Sequence, residues 1–95
     1  MKPKKSPLLQ GFGMNVRRLR SAAGLTQEAV ARKAGLATPY VSNIERGVRN
    51  PSLRCIGRIA QAFGISVSDL CEGLPERKDG SQSPRGSQFR SRGAS

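Results

Sequence analysis

The chain has 95 residues, room for one compact domain, and only 36% of them are apolar. Its net charge is +11, from 17 Lys and Arg against 6 Asp and Glu, so its natural partners are polyanions: DNA, RNA or an anionic membrane surface. Two cysteines and no histidine cannot supply a zinc site of the usual ligand count, and Leu8-Leu9 is far too short an apolar run for a membrane span or a secretion signal.

In chain order, MKPKKSPL carries Lys2, Lys4 and Lys5 with two prolines, and residues 1–8 are expected to be a disordered basic arm. A domain over 9–74 follows, in which nine Lys and Arg face four acids, so the folded part is basic in its own right. Within it, Phe12, Val16, Leu19 and Ala23 recur at helical spacing and predict a first helix. Gly24 suits the position after its end. Gly11 and Gly13 are expected to weaken its first turn and blur its start.

Thr26 is a good N-cap for a second helix, QEAVARKA, with Glu28 placed to favour the helix dipole and Val30, Ala31 and Ala34 on the inner side. Gly35 ends it after about two turns. The turn Gly35-Leu36-Ala37 leads into a third helix, TPYVSNIER. There Pro39 is tolerated because a first-turn residue has no intrahelical N–H duty. Ala37 or Thr38 caps it, Thr38 being chemically the better, and Val41 and Ile44 face inward.

After Gly47 the segment VRNPS is a loop, with Pro51 as breaker and Ser52 as the next N-cap. The fourth helix presents Leu53, Ile56, Ile59, Ala60 and Phe63 to the core, and Gly64 stops it. A last short helix from Ser66 carries Val67 and Leu70, with Cys71 alongside. No segment alternates with period two, so the fold class is all-α. From Pro75 the tail PERKDGSQSPRGSQFRSRGAS has five cations, two acids and Phe89 as its one bulky apolar residue. It cannot bury enough surface to offset its ordering entropy, and 75–95 is expected to be a disordered basic tail.

Residues 27–46 form a helix, a turn at Gly35 and a second helix whose inward residues leave a polar outer face free. Small Ala31 lets the two helices cross closely, and Gly35 permits a backbone that a Cβ would resist. The hallmarks Leu25-Thr26-Gln27-Glu28, Ala31, Gly35, Ser42, Ile44-Glu45-Arg46-Gly47 and Asn50-Pro51-Ser52 resemble the phage repressor and Cro type of helix-turn-helix, the XRE family, from about Phe12 to Leu70. The stretch TPYVSNIERGVRNPS is also similar to controller proteins of restriction–modification systems.

The resemblance implies a compact five-helix, lambda-repressor-like domain with the recognition helix, 38–46, in the DNA major groove. It places Thr38, Pro39, Tyr40, Ser42 and Asn43 at the bases. Asn43 suits a bidentate contact to adenine, and Pro39 can touch only apolar base edges. Tyr40 has a second reading, half-buried packing against Phe12 or the fourth helix. Gln27, Arg46, Arg49, Asn50 and Arg17 are the candidates for phosphate contact, with Arg18 and Arg20 weaker ones. Glu45 is anomalous beside DNA and reads as a partner for Arg17 or Arg20.

Family members usually dimerise, so a homodimer on a two-fold site is expected, with Ile65, Val67, Leu70 and Leu74 as its interface. The alternative use of those residues is closing the core. Double-stranded DNA is the expected partner; no cofactor, metal or membrane is. A reduced, cytoplasmic setting is the default for two unpaired thiols.

A rival reading is a protein-interaction module such as the antitoxin of a toxin–antitoxin pair. Binding of RNA or single strands would want more stacking aromatics than Tyr40, Phe12, Phe63 and Phe89 provide. An enzyme is not expected: there is no histidine, no carboxylate pair at working spacing and no base beside either cysteine, so no catalytic residue is assigned.

Overall fold

The computed structural model of the chain describes residues 6–75. Five helices make up the domain: α1 (Pro7–Ala22), α2 (Gln27–Ala34), α3 (Thr38–Glu45), α4 (Leu53–Phe63) and α5 (Val67–Leu70). Among the described residues there is no strand. The expected basic arm up to Lys5 and the tail from Glu76 lie outside the described residues.

Each helix start is set by local chemistry. The side chains of Ser6, Thr26, Ser52 and Ser66 accept hydrogen bonds from the backbone N–H three residues on, at 2.9–3.2 Å, which satisfies donors that no helical carbonyl can reach. Ser6 is the cap that the sequence reading missed. With Pro7 in the first turn it starts α1 two residues before position 9, drawing Pro7 and Leu8 into the folded domain. The third helix is capped by Ala37, not by the chemically better Thr38, and its cap has no side-chain hydrogen bond. Val41 N–H already donates to Ala37 O at 3.2 Å, and the inward placement of Val41 and Ile44 fixes that register.

The core has two joined parts. Phe12, Val16, Ala34, Ile44, Ile59, Ala60 and Leu70 form the larger. Val30, Ala31 and Val41 form the smaller, which seals α2 against α3. As expected, Val41 and Ile44 are fully buried, and Gly35 takes the left-handed conformation, φ +70°, that ends α2.

Three expectations are corrected. Leu53 does not face the core but is 75% exposed. Pro51 is buried at that end of the domain, so the first turn of α4 stands clear and the inner stripe begins at Ile56. Leu70, expected at a dimer interface, is 0% exposed and closes the main cluster; a one-turn helix has a single strongly inward position and Leu70 holds it. Gly13 does not merely weaken a helical turn. It is buried where α1 crosses the end of α3, and a Cβ there would run into the carbonyl oxygens of Ile44 and Glu45.

Candidate nucleic-acid interface

The third helix is held from two sides, by α1 at its C-terminal end and by α2 along its length, and its remaining side carries Thr38, Pro39, Ser42, Asn43 and Arg46. Pro39 and Arg46 are exposed, and Thr38, Ser42 and Asn43 keep partial access to solvent. None of these five belongs to either core cluster. The polar face left over after Val41 and Ile44 turn inward is therefore not covered by the described chain.

What aims this helix is a buried ionic junction. Glu45 has a side chain only 4% exposed, and its carboxylate accepts from Arg20 Nε at 2.6 Å and Nη2 at 3.2 Å. Gln27 Nε2 donates to the same carboxylate at 3.0 Å, and Arg20 Nη1 donates to Leu25 O at 2.9 Å. The hydrogen bond and charge of Glu45 push the Arg20 pKa above its ordinary value. The junction joins α1, the start of α2 and the end of α3, so it fixes the tilt of the reading helix. Of the two partners proposed for Glu45, Arg20 is the real one; this bond takes Arg20 out of the phosphate-binding set. Gln27 braces α3, and its other amide hydrogen and its carbonyl oxygen remain for a further contact.

Asn43 Oδ1 accepts from Arg46 Nη1 at 3.3 Å. That bond steadies the amide and leaves its two N–H donors free, together with one lone pair on the oxygen. Arg18 bonds back to Asn15 Oδ1 at 3.0 Å, which gives it an intramolecular duty on α1. Arg17, Arg49 and Asn50 are exposed.

Tyr40 takes up the packing alternative without leaving the reading helix. It lies against the main cluster, and the Arg49 guanidinium sits 4.8 Å from its ring centroid, within cation–π range. Its hydroxyl bonds to the thiol of Cys55 on α4, which pushes the tyrosine pKa up. Hydrogen bonds from Ser52 and then from Tyr40 hold the Cys55 thiol below its ordinary range. Sequence reasoning treated Cys55 only as a small core residue. The missed signal is spacing: Ser52 and Cys55 are a helical turn apart at the start of α4, where α4 meets Tyr40.

Of the residues expected at a dimer interface, Ile65 and Leu74 are half-buried against the core, Leu70 is lost to it, and Val67 is 38% exposed. A shallow apolar cavity of about 120 Å³ opens nearby, lined by Leu8, Leu9, Phe12, Pro51, Ile56 and Leu74, with Asn50 and Cys71 at its margin. Exposed Leu8, Leu53 and Val67 stand beside it in sequence and on the same helices. Among the described residues no group of three or more His, Cys, Asp or Glu could hold a metal ion. No described helix is long and apolar enough to cross a membrane.

Comparison with known proteins agrees with this geometry. An uncharacterized HTH-type transcriptional regulator of Sinorhizobium fredii, y4dJ, is 45% identical over 58 residues, 61% of this chain and 75% of that protein. The restriction-modification controller protein C.AhdI of Aeromonas hydrophila superposes with a TM-score of 0.65 at 45% identity, over 65% of this chain and 94% of that one. The controller protein C.Esp1396I, solved as a tetramer in complex with its natural 35 base-pair operator, superposes with a TM-score of 0.67 at 32% identity, over 73% of this chain and 91% of that one. The HTH_3 helix-turn-helix family matches residues 16–70, more than half of the sequence, and the chain belongs to that family.

Proposed function

We propose that this protein is a sequence-specific double-stranded DNA-binding transcriptional regulator, of repressor or controller type, that inserts α3 into the major groove and works as a homodimer. The observation that carries the reading is the uncovered polar face of α3, held rigidly by the Arg20–Glu45–Gln27 junction beside exposed Arg46 and Arg49. Pre-organised donors on a helix of this size fit a major groove, where each base pair presents a distinct edge pattern. In this reading Thr38, Pro39, Ser42 and Asn43 meet bases. Gln27, Arg46, Arg49, Asn50 and Arg17 meet phosphates, and Tyr40 reaches the groove edge from its seat on Cys55 with Arg49 above it.

The second copy docks on the face made by Leu8, Leu53 and Val67 around the apolar cavity, with Ile65 and Leu74 beneath. This replaces an interface centred on Leu70. A monomer reading one short site would discriminate poorly among genomic sequences, whereas two copies read two half-sites about one helical turn apart. The role is one of binding, with no catalytic step, in a reducing cytoplasmic setting that leaves both thiols free.

Selection of bound duplexes from a random pool tests the proposal. The expected result is two related half-sites in inverted orientation, with centres about 34–36 Å apart. Affinity should fall with salt at a log–log slope near −0.9 per phosphate contacted. No enriched sequence and a flat salt response would overturn it in favour of a protein partner, as in an antitoxin.

A further inference from the structure

The two ends of the described chain lie together, and they lie beside the loop that approaches the phosphates. Leu8 and Leu9, just after the Ser6 cap, line the same cavity as Leu74, Asn50 and Pro51. A Cβ placed on Gly11 would stand 3.0 Å from Pro75 Cδ and 3.4 Å from Leu74 Cδ2, so the last described residues rest on the first turns of α1. A Cβ on Gly47, directly before the loop, would stand 3.0 Å from Gln10. Residues 1–5 and 76–95 thus leave the domain from one place, next to Val48, Arg49 and Asn50.

The charge of both ends is one-sided. Residues 1–5 hold Lys2, Lys4 and Lys5 and no acid, and residues 76–95 hold Arg77, Lys78, Arg85, Arg90 and Arg92 against Glu76 and Asp79. The exit point also adjoins the apolar face assigned above to the second copy, so in a dimer all four ends gather near the two-fold axis. On B-DNA, two helices entering successive major grooves on one side of the duplex bracket a minor groove that faces the protein, at the centre of the site. A narrow, A·T-rich minor groove carries enhanced negative potential that attracts inserted Arg and Lys side chains.

We propose that the two basic ends enter this central minor groove together and make the protein sensitive to base pairs that α3 never touches. The inference rests on the dimeric reading above. It assigns the ends a preference for sequence-dependent groove shape, beyond a uniform gain of charge.

The test keeps the chain at full length. One variant replaces Lys2, Lys4, Lys5, Arg85, Arg90 and Arg92 with Gln. Operators retain the selected half-sites and differ only in the central spacer: A·T pairs, G·C pairs, or inosine–cytosine pairs that lack the minor-groove amino group. For the native chain the expected result is a Kd about tenfold weaker on the G·C spacer, with binding restored by inosine–cytosine. For the variant, all three spacers should bind alike. Equal spacer sensitivity in both proteins would assign the effect to DNA bending and overturn the inference. So would a variant weakened uniformly while the native chain ignores the spacer. If the native chain enriches no half-sites at all, the dimeric reading fails with it, so the two failures can be told apart.

Discussion

Two glycines on different helices separate backbone propensity from packing. At Gly57, in the middle of α4, a Cβ would meet nothing within 4 Å, so Gly57→Ala should stabilise the protein by about 0.5–1 kcal/mol through helix propensity. At Gly13 the added methyl would stand 2.7 Å from the Glu45 carbonyl oxygen, and that oxygen belongs to rigid backbone. Gly13→Ala should therefore destabilise by about 1–3 kcal/mol despite its better propensity. Urea unfolding of both variants checks the contrast, and equal shifts of one sign would contradict it. In the sequence both residues read alike, as glycines inside helical patterns, because the sequence holds no record of what crosses them.

Asn43 is a second test at this scale. Its amide is oriented by Arg46 on a face nothing else covers. Asn43→Ala should cost about 1–3 kcal/mol on the selected site and relax one base position. A randomised-site selection with unchanged preference would show that Asn43 does not read a base.

At the scale of the element, the chain punctuates itself clearly. Thr26, Ser52 and Ser66 are caps visible in the sequence, and Gly35, Gly47 and Gly64 close the helices before them because each takes a positive φ. Ser6 was legible by the same rule, since a serine followed by proline is a helix-start signal. The lysine-rich run before it drew the reading toward a disordered arm instead.

The last helix is too short to hold itself and depends on α1. Asn15 Nδ2 donates to the carbonyls of Leu70 at 2.9 Å and Glu72 at 3.0 Å, satisfying oxygens at a helix end that lacks intrahelical donors. Asn15→Ala should cost about 1–2 kcal/mol and speed amide exchange at Leu70 and Cys71 more than in α2 or α3. Uniform exchange changes across the domain would show instead that α5 does not open on its own.

For the whole molecule, the decisive surface is the one that the core leaves uncovered. Leu53 makes little contact within its own chain, so Leu53→Glu should leave the Tm nearly unchanged. In the dimeric reading it should also turn the dimer into a monomer by sedimentation and weaken operator binding roughly tenfold or more. A folded, dimeric Leu53→Glu protein would move the interface elsewhere. The placement of this surface was not legible beforehand, because Leu53 and Ile56 share one helical stripe and only the position of Pro51 and α1 decides where that stripe passes from core to surface.

The order of residues was enough to specify five short helices, a helix-turn-helix over 27–46, the inward turn of Val41 and Ile44, and a strongly basic character, because caps, glycine stops and apolar spacing act within a few residues of one another. Contacts between distant segments settled the rest. The Arg20–Glu45–Gln27 junction aims α3, Gly13 sets how closely α1 approaches it, Leu70 closes the core, Leu53 stays outside, and Ser6 and Pro75 come out side by side. Such pairings depend on which surfaces meet when the helices pack, and helical periodicity alone does not encode that meeting.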